Sequence, residues 1–205
     1  MDFGQRGVIL TLGEVWSLIR KPYIHCSTGK EQEMSEWNDL AHWLYGDVKM
    51  DRGFWYSHPL CEINGLTEDQ LFWVPDERNL CMLWHVGHIA HRERTHIGKF
   101  VQGIKTDLIP PEYEVFGPDW CSVDEIHASV QSVKEVFKWV QDVRAETTKV
   151  VQSLSDSKWH QIGGPSELDL TIAHWVFLTV AHEAIHIGKL QMLRAMLEGK
   201  KDRAC

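Results

Sequence analysis

The sequence lacks the features that mark several common classes of protein. Its 21 Lys and Arg are outnumbered by 29 Asp and Glu, and the formal net charge of −8 argues against a nucleic-acid partner. There is no run of about 18 apolar residues, so we predict no membrane span. The N-terminus has no signal-peptide layout, so we expect a cytoplasmic protein. The five cysteines include no Cys-x-x-Cys pair, which argues against a disulfide framework or a cysteine-based zinc site.

Strand patterns are also missing, and apolar residues recur at helical spacing from about residue 34 onward. We predict an all-α fold, an up-down four-helix bundle over residues 34–205, with residues 1–33 as an N-terminal extension. The predicted helices cover about 34–64, 77–102, 122–153 and 166–198. Capping boxes begin at Thr67 and Ser122. Residues 104–121 contain three prolines and form a long loop of the kind that often covers a functional site.

The sequence is rich in histidine, with 12 residues. Two of these histidines are four residues apart near the C-terminus. At helical spacing His182 and His186 project from one face, one turn apart, and can hold one metal ion. They belong to an apolar stripe that advances in threes and fours and predicts a core-facing seam. The stripe is Leu168, Ile172, Trp175, Thr179, His182, His186, Leu190, Leu193 and Leu197.

A third histidine on the second helix would complete a metal site. His88 lies near the middle of that helix and follows Gly87, which would let a neighbouring helix or a ligand approach closely. We predict that His88, His182 and His186 bind one divalent metal ion and leave coordination positions for water or substrate. Zinc, nickel and iron all accept this ligand set. The alternative from spacing alone is a pair of hydrogen-bonded core histidines.

The segment His182–His186 also satisfies His-Glu-x-x-His, the zinc-binding helix of metalloproteases, in which Glu183 would be the general base. The extended form of that motif needs a histidine at position 192, where this chain has Met192. Only 19 residues follow His186, too few for a further subdomain that could supply a third ligand. A protease is therefore disfavoured.

Four short blocks in this order and spacing resemble the DinB-like (YfiT-like) superfamily of putative metal-dependent enzymes. They are Gly65–Leu71, Trp73–Pro75, Trp84–Ile89 and His182–Lys189. The resemblance covers about residues 34–198 and implies an up-down four-helix bundle, often a homodimer, with a metal triad at His88, His182 and His186. The Trp84–Ile89 block is also similar to the iron-binding half of ergothioneine sulfoxide synthases. Those enzymes need a second domain, which we do not expect here, so their reaction is not implied. Lys189 departs from the glutamine common in the family.

Several other residues are candidates for the site. His91 and Glu183 are predicted catalytic groups, although His91 also fits a polar core or rim residue. His85 is either an alternative ligand or a residue that faces a neighbouring helix or solvent. Glu93 and Glu183 could orient ligand histidines, but surface positions are favoured for both. The remaining candidates for the pocket are His174, Trp84, Trp175, Tyr113 and Trp120.

The resulting function is a metal-dependent transferase or hydrolase that acts on a small molecule. The resemblance implies that a low-molecular-weight thiol could be the cosubstrate. A metal would lower the pKa of a bound water or thiol and so provide a nucleophile near neutral pH. The alternative is a non-catalytic protein, either a stress-associated binding module or a metal-stabilised structural dimer.

Overall fold

The computed structural model describes residues 58–199, and these residues are built from helices. The α-helices are α1 (Pro59–Glu62), α2 (Glu68–Phe72), α3 (Met82–Thr95), α4 (Val123–Ser129), α5 (Val133–Gln152), α6 (Asp156–Trp159) and α7 (Ile172–Glu198). A π-helix, His96–Val101, continues α3, and a 3₁₀-helix, Pro111–Phe116, lies in the predicted loop. Within residues 58–199 the extended pairing amounts to one isolated bridge, between Ile162 and Thr171.

The all-α prediction is confirmed for this part of the chain. The predicted extension, residues 1–33, and most of the predicted first helix, up to residue 57, lie outside the described residues. Among residues 58–199 no helix has both the length and the apolar character needed to cross a bilayer.

Helix α3 is the central element of the described region. Every residue from Cys81 to His91 is buried, and α3 packs against both α5 and α7. The helix begins at Met82, where the Cys81 thiol accepts a hydrogen bond from the Trp84 amide, and not at residue 77 as predicted. The prediction failed because turns fill residues 76–79 and a thiol cap has no strong sequence signature.

The predicted third helix is two helices. Its capping box at Ser122 and Glu125 is present, but α4 ends at Ser129 because Val130 adopts an extended conformation. Ser132 then caps a new helix, α5, by accepting a hydrogen bond from the Glu135 amide. The apolar periodicity continues across this break, so periodicity alone could not reveal it.

Helix α7 begins at Ile172, capped by Thr171, and ends at Glu198. The predicted start near residue 166 was too early, and Leu168 is exposed and precedes the helix. The rest of the predicted seam is largely correct, since Trp175, Thr179, His186, Leu190 and Leu193 are buried. His182 is half-buried, at the edge of the seam.

The absence of a side chain at Gly87 lets the 3₁₀-helix pack directly on α3. A Cβ atom at position 87 would lie 2.5 Å from the Phe116 ring, which is fully buried. The close approach predicted at this glycine is therefore confirmed, and the neighbour is an aromatic ring from the loop. Because Phe116 is held here, its backbone carbonyl lies beside the next residue of α3, His88.

We expect Gly87→Ala to destabilise the protein by about 1–3 kcal/mol, because a methyl group would overpack the contact with Phe116. The matched control is Gly188→Ala on α7, where nothing lies within 4 Å of the added Cβ. That change should stabilise the helix by about 0.5–1 kcal/mol, as alanine usually does in place of glycine in a helix. Urea unfolding at matched oligomeric state measures both, and equal effects of the two variants would contradict the packing described.

Candidate metal centre

The three predicted ligands, His88, His182 and His186, meet at the contact between α3 and α7. Each offers one ring nitrogen, and these three atoms all lie within 4.8 Å of one another. Nitrogens at about 2.1 Å from a tetrahedral ion lie about 3.4 Å apart, so the cluster closes around an ion with a contraction of no more than about 1.4 Å in any pair. The geometry fits one ion bound by three imidazoles.

Antiparallel packing of α3 on α7 produces this convergence. The His85 ring lies 5.1 Å from that of His186, whereas the ring of His96, three turns further along the chain, lies 6.3 Å from that of His182. The ring of His88 lies between these levels, 5.0 Å from His182 and 4.8 Å from His186. The i,i+4 spacing on α7 and one residue of α3 are therefore enough to form the triad.

The imidazole of His88 is held on two sides. Its Nδ1 lies 2.6 Å from the carbonyl oxygen of Phe116, which can only accept, so Nδ1 carries the proton. Its ring stacks on Trp84 with centroids 4.3 Å apart and planes 19° apart. The remaining nitrogen, Nε2, keeps its lone pair for a ligand. A hydrogen bond from the second ring nitrogen to a carbonyl is the usual way in which a metal-binding histidine is oriented.

His85 orients His186 in the same way. The two Nδ1 atoms lie 2.9 Å apart in a buried environment, so one of them donates and the other accepts. When His186 presents Nε2 to a metal, its Nδ1–H donates to the Nδ1 lone pair of His85. From the sequence, His85 could be a ligand, or it could face either a neighbouring helix or solvent. The structure buries it against the neighbouring helix and away from solvent.

Burial keeps the three ligand candidates neutral. Desolvation, with smaller contributions from nearby positive groups, lowers the pKa of His88 to about 4 and of His182 to about 4. The pKa of His186 is lowered to about 2, first by burial and then by the three neighbouring histidines and Lys189. At pH 7 all three imidazoles therefore carry free lone pairs, which is the form that binds a divalent cation.

The two predicted catalytic residues lie in different surroundings. His91 is buried one turn beyond His88, against the backbone of Gly117, and its Nε2 lies 3.4 Å from a carboxylate oxygen of Glu114. Glu183 is fully buried, and its Oε2 lies 2.6 Å from Nη2 of Arg144. Glu93 is buried as well and pairs with the same arginine, so the surface positions favoured for Glu93 and Glu183 were wrong.

The other candidates are distributed around the bundle. His174 is exposed and caps its own helix at Thr171, away from the triad. Trp175 stacks on Phe100 with centroids 3.8 Å apart, and Tyr113 stacks on Trp139. Trp120 is 55% exposed. Trp84, stacked on His88, is the one of these aromatic residues that touches the triad.

A further histidine, the first residue of the π-helix, lies close to the site. His96 places its Nδ1 3.2 Å from the Thr179 hydroxyl, and burial lowers its pKa to about 4. His96 was not a candidate from the sequence, because it lies about two turns beyond His88 on the same helix. π-helical turns are rare and occur frequently at functional sites.

Comparison with protein families identifies the chain. A family model described as the DinB superfamily matches residues 62–190, more than half of the 205 residues. The chain belongs to the DinB superfamily.

The match includes every member of the triad, and the superfamily is associated with metal-dependent enzymes. No curated protein and no solved structure matches the chain. The expected resemblance is therefore confirmed at the level of the superfamily, and the similarity to ergothioneine sulfoxide synthases stays a prediction.

If His85 orients His186, replacing it should weaken metal binding without unfolding this DinB protein. We expect His85→Leu to lower zinc affinity by about 10–100-fold, because the Nδ1–H of His186 loses its acceptor. His85→Asn, which keeps a polar atom near the same position, should lose less. His174→Leu, on the exposed end of α7, is the control and should bind as the wild type does. Calorimetric titration of the apoprotein measures all four affinities, and wild-type affinity in folded His85→Leu would contradict the role of His85.

Proposed function

We propose that this DinB protein is a metal-dependent enzyme that acts on a small molecule, with one divalent ion held by His88, His182 and His186. The observation that carries the proposal is the convergence of three neutral imidazoles from two helices within 4.8 Å. Three protein ligands leave coordination positions for water or substrate, as catalytic sites require. His182 is half-buried, which favours access from its side of the triad.

The chain's own residues supply the rest of the chemistry. A divalent ion on three neutral imidazoles keeps its full charge and would lower the pKa of a water or thiol that it binds. Burial lowers the pKa of His91, so His91 is neutral near pH 7. Its Nε2–H faces the Glu114 carboxylate, which leaves the lone pair of Nδ1 to take up a proton, and Glu114 stabilises the charged form. The carboxylate of Glu183 is engaged by Arg144, which favours a positioning role over that of a general base.

Within this proposal the reaction is a transfer or a hydrolysis, with a low-molecular-weight thiol as the candidate cosubstrate. The positive charges of Arg92 and Lys189, which lower the pKa of His182, favour a cosubstrate that carries an anionic group. Zinc, nickel and iron all suit the donors. We place the protein in the cytoplasm, an assignment supported by the free thiols of Cys61, Cys81 and Cys121.

Elemental analysis and thermal shift test the proposal together. We expect the purified protein to hold about one equivalent of metal, and His88→Ala and His182→Ala to hold little, because each removes one of three ligands. A chelator should lower the melting temperature, and one member of a panel of low-molecular-weight thiols should raise it when metal is present. His174→Ala is the control for histidine content. Absence of metal from the wild type and from zinc-loaded samples would refute the metal centre.

A second candidate, a dimer that functions as a binding module, is supported by one face of α7. Large apolar residues on this face are exposed: Phe177 by 65%, Ile185 by 60%, Met192 by 51%, Met196 by 51% and Leu178 by 40%. Ala181, Ala184, Gly188 and Ala195 fall between them at helical spacing, and the exposed Lys189 lies at the edge of the face, four residues after Ile185. We propose that a second copy of the chain covers it, because a face that is apolar except for a lysine at its edge can pack on itself while the lysine keeps its charge in water.

Sedimentation velocity tests this interface. We expect a dimer for the wild type and a monomer for Ile185→Glu, because a carboxylate at the centre of the face would be buried without a partner. Leu168→Glu is the matched control, since Leu168 is 57% exposed but precedes α7, and it should remain dimeric. A monomeric wild type at micromolar concentrations would contradict the interface and would favour coverage of the face by the chain's own residues 34–57.

A further inference from the structure

One buried arginine connects three helices behind the metal centre. Arg144 projects from α5 towards Glu93 on α3 and Glu183 on α7. Its Nε and Nη2 lie 3.0 and 2.8 Å from the two carboxylate oxygens of Glu93, which is a bidentate pair. Its Nη2 also lies 2.6 Å from Oε2 of Glu183. The guanidinium therefore bridges two carboxylates from different helices. We call Glu93, Arg144 and Glu183 the ionic bridge.

The surroundings of the ionic bridge leave its side chains little freedom. The side chains of Glu93, Arg144 and Glu183 are 3%, 15% and 0% exposed. The buried side chain of Thr147, one turn along α5, is a further polar neighbour of Glu93. Charges this deeply buried require close, well-directed partners, so the distance between the two carboxylates is fixed by the guanidinium.

The ionic bridge is attached to the same helices as the ligand histidines. Glu183 directly follows His182 on α7, and Glu93 lies five residues beyond His88 on α3. If the carboxylate of Glu93 or Glu183 is displaced together with its helix, the ligand histidine on that helix moves as well. The two helices that must bring imidazoles to one ion are thus connected a second time, through a residue on α5.

We propose that Arg144 is a positioning residue of the metal centre, which sets the separation of α3 and α7 so that His88 reaches the ion held by His182 and His186. This inference rests on the proposed metal centre. Metal ligands must be held within roughly 0.5 Å of productive geometry, and residues outside the ligand shell supply that precision. The two hydrogen bonds to Glu93 explain why arginine suits position 144. Lysine carries a single ammonium group and cannot donate to both carboxylate oxygens in the same planar arrangement.

The test compares two ion pairs between the same two helices. Arg144→Met removes the ionic bridge, whereas Arg94→Met removes the pair between Arg94 on α3 and Glu146 on α5, whose atoms lie 2.6 Å apart nearer the surface. Zinc affinity is measured on folded protein by competition with a chromogenic chelator, and cobalt replaces zinc to report coordination geometry by its visible absorption. We expect about 10–100-fold weaker zinc binding and an altered cobalt spectrum for Arg144→Met. We expect neither for Arg94→Met, and partial recovery in Arg144→Lys.

A second variant covers the case in which Arg144→Met fails to fold. The triple variant Glu93→Gln, Arg144→Met, Glu183→Gln leaves no unpaired charge, and replacing a whole buried ionic group in this way is often tolerated. It should fold and still bind zinc more weakly than the wild type, with a changed cobalt spectrum. Wild-type affinity and an unchanged spectrum in either variant would overturn the positioning role while leaving the metal centre intact. A wild type that binds neither metal would instead overturn the metal centre, and this proposal with it.

Discussion

The packing of α3 on α7 depends first on the need of three buried imidazoles, those of His85, His88 and His186, for hydrogen-bond partners. His85 and His186 satisfy one another across the two helices, and His88 is satisfied by the carbonyl of Phe116. These two hydrogen bonds fix the relative level of the helices and attach the loop that carries Phe116 to them. Because an unpaired polar group in a core is costly, the arrangement that satisfies the second ring nitrogens also turns the remaining nitrogens of His88 and His186 towards a common point.

Different kinds of interaction therefore hold the site, and they lie at increasing distances from the ligand histidines. Next to the rings are hydrogen bonds and the stacked Trp84, whose direction determines where each lone pair points. Behind them is the contact of Phe116 with Gly87, in which a missing side chain determines how closely the loop approaches. Further out, the charges of Glu93, Arg144 and Glu183 join three helices.

Much of this could be predicted from the sequence because it depends on local spacing. The periodicity of α7, the His182–His186 pair and the glycine before His88 are visible in the chain, and all three lead to the triad. The break at Val130 could not be predicted, because apolar residues recur at helical spacing on both sides of it. The burial of Glu93 and Glu183 could not be predicted either, since their partner Arg144 is about 40–50 residues away in sequence and becomes a neighbour only after the helices have packed.

The π-helix from His96 to Val101 affects how relatives of this protein can differ in the number of residues in this helix. A π-helical turn behaves as an α-helix into which one extra residue has been inserted, so side chains before and after it are out of phase by about 100°. Here the shift lets His96 face Thr179 while Phe100 lies flat on Trp175. A relative with one residue fewer in this turn would have a regular helix and would lose one of those two contacts. Deletions at this point, more than substitutions, would change which side chains surround the histidines.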